Sequence, residues 1–366
     1  MTMASGGCFT YGDVSTLIAM EDALDRELGI DPSKGVWALV CQGGGGKGAW
    51  EAGFIYEACE RYKADFKTVI GTSVGALNGA LYLQGVANKS FRILQDVWLS
   101  TGATDILAFP PKFREFLRLG IFGQAKLLKM MRTFLCRGDL ERVCAANQKY
   151  FYVMATCVDS LFHWVWHPFA FQPASPAPRT AHDGFSSLHA ALLASSAIPV
   201  VYPYVQQDTM MLWDGGLVEN NPIISALNTG CDRIIVLSPT PYNELKKPRW
   251  RSRWLNPLHF MDVQLLKRLH RARESLTEKK ARGISLEVYL VCPEKRLPSG
   301  PLIFSRQSSA ASFCTGRADA EKLYGGTIPM IISRYDLSSK TDLPEPQEGF
   351  FQSIFRILGG SASGMD

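Results

Sequence analysis

The chain has 366 residues, 46% of them hydrophobic and 20% charged, with a formal net charge of +5. That length and balance suit one large or two modest folded domains and exclude wholesale disorder; so mild a charge gives no indication of nucleic-acid binding. Nine cysteines run from Cys8 to Cys314 without a C-x-x-C pair, which fits neither a zinc site nor the disulfide framework of a small secreted chain, so reduced and mostly buried thiols in a cytoplasmic protein are expected.

Residues 1–35 read as an N-terminal helical segment, with helical periodicity over 14–28. Asp and Glu occupy the place where a secretory signal would be apolar, so no signal peptide is expected. Residues 36–41 are a continuous apolar run, the pattern of a buried, parallel-type strand. A glycine run, Gly43 to Gly46, follows, and residues 49–62 return to helical periodicity. A second short strand over 68–71 leads into a helix over 74–84. Residues 100–148 form a helical, basic insertion, followed by strands over 151–156 and 164–169. The longest apolar stretch, about 189–205, is broken by Ser195, Ser196, Pro199 and Pro203, which excludes an ordinary transmembrane helix.

Beyond it the pattern predicts a helix over 188–195, a strand over 210–213, a helix over 223–228 and a strand over 233–237. A long helix over 261–282 and a strand over 286–291 come next. Residues 294–312 are rich in Ser and Pro and read as a loop, and the tail from 346 to 366 reads as flexible. Strands alternating with helices over 36–345 argue for one α/β catalytic domain with a largely parallel sheet.

Gly71-Thr72-Ser73-Val74-Gly75 is a G-x-S-x-G between a predicted strand and a predicted helix, the setting of a nucleophile elbow. A Cβ at Gly71 or Gly75 would collide across so tight a crossing, and the helix that follows brings the positive end of its dipole to Ser73.

Upstream, Gly43-Gly44-Gly45-Gly46-Lys47-Gly48 has three readings. A Walker A loop needs Ser or Thr after Gly-Lys, and Gly48 stands there. A dinucleotide fingerprint matches formally at Gly43, Gly45 and Gly48, but its acidic partner should close the next strand, which instead ends at Ser73. An oxyanion hole, in which backbone N–H groups converge on a substrate oxygen, explains why the run lies one strand before a nucleophile elbow. Trp213-Asp214-Gly215-Gly216 supplies a carboxylate at a strand end. In isolation it would be only a turn, but a serine nucleophile needs a base within hydrogen-bond reach.

Together these motifs resemble the patatin-like phospholipase family: a glycine-rich oxyanion loop, G-x-S-x-G and D-G-G, in that order. Residues 194–199, the pair Tyr202-Pro203 and the run Asn220-Asn221-Pro222 agree with the same family pattern. The likeness covers roughly 36–240 and, more faintly, a helix near 316–323. It implies a three-layer α/β/α sandwich that cleaves acyl esters of lipids, phospholipids foremost, through a Ser–Asp dyad without histidine. By that match Ser73 is the nucleophile, Asp214 the base, and the backbone of Gly44, Gly45 and Gly46 the oxyanion hole, with Gly43 opening the run. Lys47 falls where the family carries a basic residue, near a lipid phosphate. No metal or organic cofactor is implied.

A Ser–His–Asp triad is the internal rival. His259 and His270 follow Asp214, but one lies in a Pro- and Trp-rich segment and the other on a long basic helix; His163, His167, His182 and His189 read as structural. Residues 109–137 set Lys112, Arg114, Arg118, Lys126, Lys129, Arg132 and Arg137 among apolar residues. Such a segment can lie on an anionic membrane or act as a lid; the alternative is a helical pair packed on the core with its cations solvated. Residues 246–254 alternate cations with Trp, as at lipid interfaces. The partners expected are therefore a lipid substrate and a transient membrane surface, with no nucleic acid. An acyltransferase or a non-lipid esterase on the same site is the alternative activity, and a catalytically silent membrane-binding protein the third reading.

Overall fold

The computed structural model describes residues 35–109, 120–157, 162–166, 188–207, 210–241, 286–301 and 304–325, with 162–166 described by backbone alone. The expected helices over 14–28 and 261–282, the cation–Trp segment 246–254, the tail, part of the basic insertion (110–119), and His167, His182, His259 and His270 lie outside those residues.

The apolar run after residue 36 forms strand β1 (Trp37–Cys41), buried along its whole length. It is the hub of the sheet. Strand β2 (Phe66–Thr72) pairs parallel on one side, with Cys41 opposite Gly71. Strand β3 (Tyr150–Cys157) then pairs parallel with β2, setting Thr72 opposite Met154. Strand β4 (Phe162–Trp166) returns antiparallel along β3, two residues earlier than the periodicity predicts at its start. Strands β5 (Val205–Gln207) and β6 (Met210–Asp214) form an antiparallel pair, and β6 docks antiparallel on β3 with Asp214 opposite Ala155. On the other side of β1, strands β7 (Arg233–Leu237) and β8 (Glu287–Val291) continue in parallel. The path is β5-β6-β3-β2-β1-β7-β8, with β4 off it on β3.

Because successive strand residues face opposite ways, the sheet divides its apolar side chains between two layers. Leu39, Cys41, Ile235, Leu237, Tyr289 and Val291 enter one cluster. Ala38, Val40, Ile234, Val236, Val288 and Leu290 enter the other. The first cluster is covered by helices α1 (Gly48–Glu60), α2 (Val74–Asn88) and α3 (Arg92–Ser100). A short helix, α4 (Ala103–Ile106), follows, and helices α5 (Ala125–Phe134), α6 (Arg137–Asn147) and α7 (Leu188–Ser195) add to the same layer. After β6 come two short helices, α8 (Gly216–Glu219) and α9 (Ile223–Leu227), the latter burying Ile223, Ala226 and Leu227 in the second cluster. This is the mostly parallel, helix-flanked α/β/α architecture that the resemblance implies.

Two boundaries differ from expectation. Helix α2 runs past Gly85 to Asn88, beyond the predicted stop at 84, and ends where Lys89 turns left-handed. More substantially, residues 306–312 are not loop. They open helix α10 (Arg306–Tyr324), whose first turn is capped by Ser305 accepting from the Ser308 N–H. The serines that read as loop composition do other work there: Ser309 and Ser312 are buried against neighbouring elements, and the Ser312 and Ser299 hydroxyls bond to each other at 2.7 Å. Of the eight cysteines among the described residues, six are buried and Cys136 and Cys314 are exposed. No helix among them is long and apolar enough to cross a membrane.

Candidate active site

The chain leaves β1 and β2 at neighbouring carboxyl ends, so the glycine run and Ser73 emerge side by side at one edge of the sheet. That edge is where α/β sheets place ligands, above all where neighbouring strands lead off to opposite sides, as β1 does toward β2 and β7 toward β8. Ser73 joins β2 to α2 at φ 54, ψ −125. For a side-chain-bearing residue this is strained backbone, tolerated where the surroundings over-determine it. Here they do. A Cβ on Gly75 would lie 2.2 Å from the Cys41 carbonyl oxygen, so α2 can start against β1 only because residue 75 has none. The Ser73 N–H donates to Ser195 Oγ at 2.8 Å, and the Ser73 carbonyl accepts from Ala76 N–H at 3.0 Å.

The Ser73 hydroxyl donates to Asp214 Oδ2 at 2.6 Å. Ser73 is 4% exposed and Asp214 fully buried. The second carboxylate oxygen, Oδ1, accepts the Gly216 N–H at 2.7 Å, while Thr156 Oγ1 holds the Asp214 carbonyl at 2.9 Å. Burial pushes the Asp214 carboxyl up to about 7, against the opposing pull of the bonds from Ser73 and Gly216. Desolvation dominates because water is gone from a group with only two donors in exchange. The two glycines after Asp214 have separate uses: Gly215 lies on β3, where a Cβ would meet the Met154 carbonyl at 2.4 Å, and Gly216 serves as a donor to the carboxylate.

The glycine run divides in its use of amides. Gly43 N–H donates to Asn220 O and Gly46 N–H to Pro301 O, both at 3.2 Å. The amides of Gly44 and Gly45 find no acceptor among the described residues, so the two central glycines, rather than all four, have N–H groups open to a ligand. Asn220 Nδ2 also bonds the Gly43 carbonyl and Asn221 Nδ2 bonds Gln42 Oε1, which braces the loop from the segment after α8. Lys47 donates to Thr240 Oγ1 at 2.9 Å. Of the histidines, His189 pairs with the Leu135 carbonyl at 3.2 Å; the side chain of His163 is not described.

Sequence reasoning assigned no role to Ser195, Asn220 or Asn78. Ser195 ties nucleophile and base together, since its hydroxyl holds Ser73 and its carbonyl accepts the Gly215 N–H at 3.4 Å. Asn78, one helical turn into α2, donates to the Gly48 carbonyl and to Glu51 Oε2 while accepting from Trp98 Nε1. Desolvation holds the wholly buried Glu51 carboxyl well above its ordinary range, and this network locks the first turn of α1 to α2 through that carboxyl.

Beside Ser73 and Gly45 opens a cavity with about 640 Å³ of empty space, part of it open to solvent. Its walls are mainly apolar, from Leu77 and Leu81 of α2, Trp98 of α3 and Met130 of α5. Helix α5 of the basic insertion thus packs inward, with Leu127 and Met131 buried, while Lys126, Lys129 and Arg132 stay exposed on the same helix. Ser196 Oγ is buried in the cavity lining without a hydrogen-bond partner in the described structure.

The helix-flanked sheet thus carries a serine on a strained strand-to-helix turn, bonded to a buried aspartate beside a glycine loop. Residues 39–227, just over half the chain, match the model of the patatin-like phospholipase family, and the chain belongs to that family. Comparison with curated protein sequences finds no match. Among solved structures, VipD from Legionella pneumophila is similar, at 13% sequence identity and a TM-score of 0.38. The alignment covers 80% of this chain and 66% of that one, so the chain spans slightly under two thirds of the other's length.

Proposed function

We propose that this protein hydrolyses fatty-acyl esters of lipids, phospholipids foremost, through an acyl-enzyme on Ser73 with Asp214 as its base. The observation that carries this reading is the 2.6 Å bond to a buried carboxylate from the Oγ of Ser73, a residue that lines an apolar cavity. An aspartate at its ordinary pKa is a weak base toward a hydroxyl; one lifted to about 7 is matched to neutral pH. The acyl chain lies along the apolar walls with its ester carbonyl at Ser73. Ser73 Oγ attacks that carbon as its proton passes to Asp214. The carbonyl oxygen becomes an oxyanion facing the amides of Gly44 and Gly45, each such donor being worth about 2.7–4 kcal/mol of transition-state stabilisation. The C–O bond to the leaving alcohol breaks and Asp214 returns the proton to it. A water then attacks the acyl-serine, losing its proton to Asp214, and the fatty acid departs as Ser73 is restored.

A fluorophosphonate probe and a phospholipid hydrolysis panel test the reading. The probe is expected to label wild type at Ser73 and to miss Ser73→Ala, and both Ser73→Ala and Asp214→Asn are expected to lose at least about a thousandfold in kcat. Full lipid hydrolysis by either variant would falsify the dyad.

A further inference from the structure

Four large apolar side chains are exposed among the described residues, and three of them stand together. Phe109 is 73% exposed, Val200 59% and Ile121 50%. They come from three segments stitched by backbone bonds: Ile121 N–H donates to Val200 O, Phe122 N–H to Val201 O, and Gly123 N–H to Ala108 O, all within 2.8–2.9 Å. The Phe109 ring packs edge-on against Phe122, centroids 6.2 Å apart. Val200 is held at φ 72, a conformation that a β-branched residue adopts only under constraint. The patch is therefore built outward by the fold, not left by a loop that could turn its apolar side chains in.

Its position gives it a purpose. Val200 lies between Ile198 and Tyr202, and Phe109 lies three residues after Ile106; all three of those neighbours line the cavity that reaches Ser73. Phe109 and Val200 are thus carried by the same segments that build the cavity wall, and Ile121 is bonded to one of them. On α5, which supplies Met130 to the cavity wall, Lys126, Lys129 and Arg132 are exposed, and Lys126 reaches the carbonyl of Thr104 on the same insertion. Exposed apolar side chains and exposed cations carried on one insertion complement a lipid surface, whose acyl region takes the side chains and whose headgroup phosphates take the charges.

We infer that Phe109, Ile121 and Val200 form a bilayer-docking lip that seats the mouth of the Ser73 cavity on a lipid surface. The inference rests on the lipid-hydrolase reading for its choice of partner, but its test does not depend on catalysis. Full-length Ser73→Ala protein is floated with phosphatidylcholine vesicles and with phosphatidylcholine–phosphatidylserine vesicles, then compared with the same protein carrying Phe109→Ser, Ile121→Ser and Val200→Asn. Each substitution is expected to weaken binding to both vesicle types about tenfold, equivalent to about 1.4 kcal/mol, and the three together at least about a hundredfold. Asn accepts positive φ more readily than Val, so Val200→Asn alone keeps or raises the melting temperature while it weakens flotation, which separates docking from folding. In the Ser73 background, the triple variant keeps its rate on a soluble short-chain ester within about twofold and loses its rate on vesicle phospholipid in step with binding. Unchanged flotation of the triple variant overturns the inference. So does wild-type binding that requires phosphatidylserine and is lost only when Lys126, Lys129 and Arg132 are neutralised, or a dimer in sedimentation that the triple variant dissociates. Should Ser73→Ala retain lipid hydrolysis, the hydrolase reading falls while the flotation result stands.

Discussion

At Asp214 the same burial has opposite consequences for stability and for activity. Its folded pKa, about 7, exceeds the unfolded value of 3.8, so the native state binds the proton more tightly. Stability from this group is fully present below about pH 4, declines as pH rises, and is lost through about pH 7. The chemistry needs the carboxylate, so kcat/KM is expected to rise through that window and level off above about 7. Such a limb looks like a histidine's. It is distinguished by persisting in His189→Ala and by moving little with temperature, since carboxyl ionisation is nearly thermoneutral and imidazole ionisation is not; a limb that vanishes with a histidine revives the triad. In Asp214→Asn the carboxamide can still accept from Gly216 and meet Ser73, so unfolding at pH 8 is expected to be more costly by a few kcal/mol, on the order of 4 at most, as urea titration would measure. Ser195 is the companion case. Ser195→Ala removes the acceptor of a buried N–H, which costs about 1–3 kcal/mol, and frees the strained turn, so kcat should fall with little change in KM. A Ser195→Ala enzyme with wild-type kcat would mean that the glycines alone hold the elbow.

Among the elements, the strands of the hub were legible for a physical reason. β1 is buried along its whole length and β7 and β8 beyond their first residue, so residues 37–41, 234–237 and 288–291 form continuous apolar runs that need no partner to be recognised. Ser73 and Asp214 were legible because each sits in a short motif whose glycines are dictated by local crowding. Their braces were not, because a hydrogen bond spanning 122 residues, as between Ser73 and Ser195, leaves no mark on local periodicity. The opening turns of helix α10 read as loop for a related reason: Ser308, Ser309, Ala310, Ala311 and Ser312 are small, so composition resembles a loop while the packing is a close helix crossing; its later turns fall on the helix that the family resemblance implies near 316–323. The basic insertion was half legible. Its cations and its amphipathicity are plain in sequence, but that α5 supplies a wall of the cavity depends on tertiary packing. This makes a further expectation about substrate. Met130→Phe fills space beside the acyl path, and room for one methylene in an apolar pocket is worth about 1–3 kcal/mol. Across a series of esters of increasing acyl length, kcat/KM for the longest members should drop at least about tenfold relative to the shortest. A profile identical to wild type would place the acyl chain elsewhere.

For the molecule as a whole, the segment that carries the family match is only part of the sheet and core. Residues 39–227 contain Ser73, Asp214 and the glycine run, yet β1 in that segment is flanked on one side by β7 and, beyond it, β8. Helix α1, which continues the glycine run, is covered by α10. The two helices cross at touching backbones: a Cβ on Gly316 would fall 1.9 Å from the Trp50 carbonyl oxygen, and one on Gly53 would fall 2.0 Å from that of Phe313. Around the crossing Trp50 Nε1 donates to Asp319 Oδ2 at 2.8 Å and Arg317 pairs with Glu57 at 2.7 Å. Pro301, just before α10, accepts the Gly46 N–H, so a residue outside the matched segment shapes the glycine loop. A chain ending at residue 241 would expose the buried face of α1, including Trp50 and Phe54, and leave that loop without its acceptor; it is expected to aggregate or to melt without a cooperative transition. A chain ending at residue 325 keeps α10 and should melt cooperatively and react with a fluorophosphonate. Within the full chain, Gly316→Ala must push α10 away from α1. Overpacking of this kind costs about 1–3 kcal/mol, and a thermal melt within a degree of wild type would show that the crossing yields without loss. If the melting temperature falls while probe labelling at Ser73 slows as well, the helix outside the matched segment is part of what holds the glycine loop in place for the chemistry.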